Sequence, residues 1–212
     1  MRTILISGFL GSGKTSTLLN LATYLARKDG PQSVVILENE IGETSAGCPN
    51  VGQTPFFTKD LSRGCIGCTS MYGDMNDTLD EIQSRLHPSF LLIETSALSH
   101  QTILDIIHQA LRPEIEPYCV LLINAREGPY PEEGNFPLFA NLVEKASLVL
   151  VNKVEGLGQD ELDKVTSQIV ELNPSCRLQI VNAVQDDLDD LWEPLWNPPP
   201  PLEPEASATL SY

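Results

Sequence analysis

Residues Gly8-Phe9-Leu10-Gly11-Ser12-Gly13-Lys14-Thr15 have the form G-x-x-x-x-G-K-[ST]. Such a loop does one piece of chemistry well. Its backbone N–H groups curl around phosphate oxygens, and the helix that follows points its positive end at the same anion. Gly8, Gly11, Ser12, Gly13, Lys14, Thr15 and Ser16 are therefore the candidate phosphate contacts. Lys14 would reach the β- and γ-phosphates as a point charge, and Thr15 would offer a hydroxyl to Mg²⁺. The apolar run Thr3-Ile4-Leu5-Ile6 before the loop and the helical spacing of Leu18, Leu21, Ala22 and Leu25 after it supply the strand–loop–helix context the motif needs.

Four further groups carry chemistry. Glu38-Asn39-Glu40-Ile41-Gly42-Glu43 ends the second apolar run. Three carboxylates in six residues repel one another unless a cation or water lies between them, although a loop can also simply be acidic. Gly64-Cys65-Ile66-Gly67-Cys68 has the C-x-x-C spacing that chelates one soft or borderline metal ion. Two thiolates are half of a tetrahedral site. Further ligands would come from Glu38, Glu43, Cys48 or a partner, and a redox pair or plain packing thiols are the alternatives. Phe90-Leu91-Leu92-Ile93-Glu94-Thr95-Ser96 is a buried-strand pattern ending in an acid, the Walker B arrangement in which the carboxylate orients Mg²⁺. Thr95 and Ser96 would then sit where a switch segment senses the γ-phosphate. Leu148-Val149-Leu150-Val151 leads into Asn152-Lys153-Val154-Glu155, close to the guanine signature N-K-x-D. The last position is one methylene longer than aspartate, so two acceptor oxygens remain for the guanine N1–H and amine. An ATP-dependent kinase or ligase stays open on that one residue.

These groups need a frame that brings strand ends together. Apolar runs at 2–7, 33–38, 89–94, 118–123, 147–151 and 177–181 alternate with helical patterns at 14–28, 73–86, 99–111, 136–145, 159–172 and 187–195. That alternation predicts an α/β fold: one three-layer domain over residues 1–196, its mostly parallel sheet covered by helices on both faces. The stretch Glu40–Arg63 shows no clear period and reads as a long functional loop, with room for short strands of its own. Asn197-Pro198-Pro199-Pro200-Pro201 begins a polyproline-like, disordered tail over 197–212.

Composition narrows the partners. The 212 residues are 42% hydrophobic, enough for a sizeable core, and no stretch approaches the roughly 20 apolar residues that span a bilayer. A net charge of −16 argues against nucleic acid or an anionic membrane as the main partner. The chain opens on its first strand, which predicts no leader peptide and a cytoplasmic location. Five cysteines without scaffold-like spacing predict reduced thiols, with Cys119 and Cys176 in the core.

Taken in order, the five motifs resemble the CobW-like, UreG and HypB family of P-loop GTPases that serve metalloenzyme and cobalamin assembly. The CobW-like branch is the nearest match: its phosphate loop reads G-F-L-G-x-G-K-T, as at Gly8–Thr15, and its second strand ends in E-N-E-x-G-E, as at Glu38–Glu43. It then carries G-C-x-C-C, E-[ST]-x-G and [NT]-K-x-D. The resemblance spans about residues 1–195 and implies a Mg²⁺-dependent GTPase that couples nucleotide state to a transition metal such as Zn²⁺, Co²⁺ or Ni²⁺. That metal would pass to a client metalloenzyme or corrinoid protein. The resemblance also implies that Cys65, Cys68, Glu38 and Glu43 hold the metal, and that the chain can pair with a second copy. Here Gly67 replaces the middle cysteine, Ala97 the glycine after Walker B, and Glu155 the guanine aspartate, and only three histidines are present. A gated accessory module for a corrinoid-dependent methyltransferase, without a metal of its own, is the second implication. Slow hydrolysis is expected, with Lys14, Glu94 and Glu40 as the candidate catalytic groups and Arg63 as a candidate arginine finger.

Overall fold

Ile4 and Ile6 turn to one side of their strand and Leu5 to the other, and all three are buried. The same two-sided burial recurs at Val34–Leu37, Phe90–Ile93, Val120–Ile123 and Leu148–Val151. A strand apolar on both faces belongs inside a sheet covered on both sides, the setting of parallel sheets. The computed structural model bears this out. It describes residues 1–39, 57–60, 69–111, 116–128 and 136–197.

The strands are β1 (Arg2–Gly8), β2 (Val34–Asn39), β3 (Phe57–Asp60), β4 (Phe90–Ser96), β5 (Tyr118–Asn124), β6 (Leu148–Asn152) and β7 (Arg177–Ile180). The helices are α1 (Lys14–Asp29), α2 (Thr69–Glu81), α3 (His100–Leu111), α4 (Phe136–Lys145), α5 (Gln159–Leu172) and α6 (Asp189–Trp196). Neighbouring strands pair in the order β3-β2-β4-β1-β5-β6-β7, and every pair is parallel. All strand C-termini therefore open on one edge of the sheet, where ligands of open α/β folds bind.

The period-two alternation sorts the core into two layers. Ile4, Ile6, Val34, Ile36, Leu92, Val120 and Leu150 face α1 and α6, whose Leu18, Leu21, Leu25 and Trp192 complete that layer. Leu5, Val35, Leu37, Leu91 and Ile93 face α2 and α3 on the other side. Leu121, Ile123, Val149 and Val151 face α4 and α5 there. The α1–α6 contact is also stitched by polar groups. Trp192 Nε1 donates to Asn20 Oδ1 at 2.7 Å, and Arg27 and Lys28 pair with Asp189 and Glu193.

The expected elements are present with shifted ends. The stretch 40–63 contributes β3, which extends the six expected strands to seven. The helix expected from Gly73 begins at Thr69, with Gly73 inside it, and closes in a π turn over Ile82–Leu86. An interior glycine costs about 1 kcal/mol relative to alanine. Burial of Met75, Leu79 and Ile82 against the sheet offsets that cost. Cys119 is buried as expected, whereas Cys176 precedes β7 and is only half-buried, against the α4–α5 layer. Residues 198–212, where the tail is expected, lie outside the described residues.

His100 opens α3 with its ring buried and neither nitrogen bonded among the described residues. Burial, and to a smaller degree the Lys145 charge, pushes its pKa from 6.5 down to about 4. The unfolded chain thus takes up a proton near pH 6.5 that the folded chain refuses until about pH 4. Stability should fall across that window by roughly 3 kcal/mol and level off below it. Urea denaturation at stepped pH checks this, and His100→Leu should flatten the slope. Trp192→Ala should cost about 3–5 kcal/mol in the same assay at pH 7, because it opens a cavity between α1 and α6.

Candidate functional site

The phosphate loop runs from the end of β1 to the start of α1, in the middle of the sheet. Its glycines are dictated by contact. A Cβ on Gly8 would stand 2.5 Å from the Leu122 carbonyl oxygen and 2.7 Å from Ser12 Oγ. Gly13, at φ 102°, would drive a Cβ into the Asn152 amide. Lys14 is buried, and its Nζ donates to the Phe9 carbonyl at 3.3 Å, folding the side chain back over the loop. The Lys14 ammonium thereby lies over the loop where phosphate oxygens are expected.

β4 pairs with β1 so that Gly8 stands opposite Ser96 and Ile6 opposite Glu94. This register brings Glu94, the acid expected from the Walker B pattern, to the phosphate loop. Glu94 is 2% exposed, and its Oε1 accepts a hydrogen bond from Thr15 Oγ1 at 3.1 Å. A buried carboxylate and a hydroxyl held together are oxygen donors of the kind Mg²⁺ takes, and 79 residues of chain separate them. Ser96 Oγ accepts from Ser99 N–H at 3.3 Å, capping the 3₁₀ turn Ala97–Ser99 that leads into α3. The expected switch residues Thr95 and Ser96 are thus wedged between Glu94 and a helix start.

On the next strand, Glu38 stands opposite Glu94, and Asp60 of β3 stands opposite Glu38. One rung across three strands therefore carries three acidic residues. Asp60 was invisible in the sequence because its strand has no clear period. Glu40, Glu43, Arg63, Cys65 and Cys68 lie outside the described residues. Among the described residues no three His, Cys, Asp or Glu side chains gather as a metal site.

At the other end, a cleft of about 570 Å³ is lined by Gly11, Gly13, Lys14, Thr15 and Ser16 on one side. Asn152, Lys153 and Glu155 line the other, with Arg126 and Asn182. Its size suits a nucleotide. Asn152 joins the two sides: Nδ2 donates to the Ser12 carbonyl at 2.8 Å, and Oδ1 accepts from Ala183 N–H at 3.0 Å. Lys153 adopts a left-handed φ of 60°, which turns the chain so that Glu155 reaches the cleft. Arg126 and Asn182 were not singled out in the sequence. The signal that would have found them is position alone, since each lies just beyond the end of a sheet strand.

The comparisons agree with this arrangement. The family model described as CobW/HypB/UreG, nucleotide-binding domain, matches residues 2–179. Zinc chaperone YeiR of Escherichia coli (strain K12) is 36% identical over 121 residues, which are 57% of this chain and 35% of that protein. Zinc chaperone YjiA of the same organism is 24% identical over 193 residues, 87% of this chain and 58% of its own length. The chain thus spans between a third and three fifths of these relatives. The crystal structure of hydrogenase maturation factor HypB from Archaeoglobus fulgidus superposes with a TM-score of 0.62 at 17% identity, covering 92% of this chain and 88% of that one, so the fold is the same. With its phosphate loop and guanine-type strand end lining one cleft, and Glu94 bonded to Thr15 of that loop, the chain belongs to the CobW/HypB/UreG family of P-loop GTPases.

Proposed function

We propose that this protein binds Mg²⁺-GTP, hydrolyses it slowly, and uses the nucleotide state to control a transition-metal ion that it passes to a client protein. The observation that carries the reading is the Glu94–Glu38 register. Glu94 meets Thr15 at the Mg²⁺ end of the phosphate loop, and Glu38 on the adjoining strand leads directly into the segment that holds Glu40, Glu43, Cys65 and Cys68. A change at the γ-phosphate would reach that segment through one strand pair. Zn²⁺ is the favoured cargo, because YeiR and YjiA are named zinc chaperones. Co²⁺ and Ni²⁺ suit the same thiolate and carboxylate donors. The client would be a metalloenzyme or a corrinoid protein.

In this reading Lys14 neutralises the phosphates and Thr15 with Glu94 orients Mg²⁺. The switch residues Thr95 and Ser96, with Glu40, direct water in line at the γ-phosphate. Two thiols per chain form half of a tetrahedral site, which suits an ion shared between two copies. GTP-dependent affinity for the ion, rather than turnover, is the working output.

Lys14→Ala should abolish GTP binding in equilibrium titration, while Thr15→Ala and Glu94→Gln should keep GTP but lose the gain in affinity that Mg²⁺ confers. Wild-type GTP affinity in Lys14→Ala would sink the phosphate-loop assignment. Titration of reduced protein with Co²⁺ should give thiolate-to-cobalt charge-transfer absorption whose midpoint shifts about 5- to 150-fold between Mg²⁺-GTP and Mg²⁺-GDP. Cys65→Ser and Cys68→Ser should each remove the band. No band under either nucleotide would favour a GTP-gated accessory module without its own metal.

A further inference from the structure

The guanine end of the cleft departs from its motif at Glu155, whose carboxylate is one methylene too long. That carboxylate is gripped on both oxygens. Asn182 Nδ2 donates to Oε1, and Arg126 Nη2 donates to Oε2 at 3.3 Å. The Arg126 fork also takes the Glu155 carbonyl, from Nε at 3.2 Å and Nη2 at 2.8 Å, so side chain and backbone are held together. Asn182 has no freedom to present its other face. Its Oδ1 already accepts the N–H groups of Val184 and Gln185 at 3.2 and 3.1 Å, which leaves Nδ2 for Glu155. The Asn182 loop is itself pinned. Asn182 N–H donates to Asp186 Oδ2 at 2.6 Å and Ala183 N–H to Asn152 Oδ1 at 3.0 Å. Three loops, following β5, β6 and β7, thus converge on one carboxylate.

We propose that Arg126 and Asn182 are positioning residues for base recognition, which fit the over-long Glu155 to guanine. The proposal rests on the GTP reading above and adds to it how this chain discriminates bases without the usual aspartate. An ionised carboxylate has about four acceptor positions. The two donors occupy one on each oxygen, which leaves one on each oxygen for the guanine N1–H and exocyclic amine. Unheld, the glutamate would have to give up its rotamer freedom when the base arrives, and base affinity would fall by that amount. Held beforehand, it is preorganised. The arrangement is not a stability device: the side chains of Arg126 and Glu155 are 54% and 47% exposed, and an ion pair so exposed contributes little to folding. Arg126 is suited to the task because a planar fork can grip a carbonyl and a carboxylate at once, which a lysine ammonium cannot do in fixed geometry.

The test is equilibrium binding of the full chain to Mg²⁺ complexes of GTP, ITP and ATP. ITP keeps the N1–H and lacks the 2-amino group, so the GTP-to-ITP ratio reads the second hydrogen bond alone. The wild type should prefer GTP to ITP and ITP to ATP. Arg126→Ala and Asn182→Ala should each lower the GTP-to-ATP ratio about 3- to 10-fold, the size of one side chain's restored freedom, because GTP engages Glu155 and ATP does not. Arg126→Lys should recover only part of the loss. In a Glu155→Ala background, Arg126→Ala should lower the ratio no further. Wild-type ratios in both Arg126→Ala and Asn182→Ala would overturn the clamp, as would an equal loss with and without Glu155. If Glu155→Ala itself leaves all three affinities in their wild-type ratio, the placement of the base at this end fails, and the clamp with it.

Discussion

The amide of Asn152 is the joint on which the nucleotide cleft depends. It is 4% exposed and bonds backbone at both ends, donating to the phosphate loop at Ser12 and accepting from Ala183 beyond β7. Loss of that side chain would strand two buried backbone groups, at about 1–3 kcal/mol each. Its demands spread outward. The loop must approach so closely that only glycine fits at position 13, and the chain beyond β7 must return to the cleft instead of running on along the sheet edge. The phosphate loop and the strand end after β6 are thereby tied to each other across 140 residues of sequence.

The two ends of the sheet's ligand edge are built differently. From β1 toward β7 the strand ends are tied to one another by side-chain amides and the Arg126 fork, a geometry suited to recognising a fixed base. From β1 toward β3 the edge carries Glu94, Glu38 and Asp60 on one rung, followed by the segment with the thiols. That side is acidic, and the Thr15–Glu94 bond is where it meets the phosphate loop. Among the described residues no helix is long and apolar enough to cross a membrane.

Much of this was legible beforehand, for identifiable reasons. The phosphate loop, the Walker B strand and the guanine-type strand end are local motifs, each a few residues long, whose chemistry is set by residue type and spacing. The main strands announced themselves as apolar runs because burial on both faces leaves no polar position. β3 was harder. A four-residue edge strand is supported by its pairing with β2 and carries little signal of its own. α2 begins at Thr69, ahead of the start expected near Gly73, and packing of Met75, Leu79 and Ile82 holds the helix despite the glycine inside it.

What the sequence determined by itself is the set of chemical groups and their order: a phosphate loop, a strand-end acid, a thiol pair and an N-K-x-E strand end one methylene longer than the guanine motif. Which of these groups meet was decided only by the tertiary structure. Strand order β3-β2-β4-β1-β5-β6-β7 sets Glu94 against Thr15 and Glu38 beside Glu94. It also brings Arg126 and Asn182 to Glu155 from 29 and 27 residues away. Periodicity and spacing act within a few residues. Sheet order and register are settled by burial of whole strand faces, and no short motif records them.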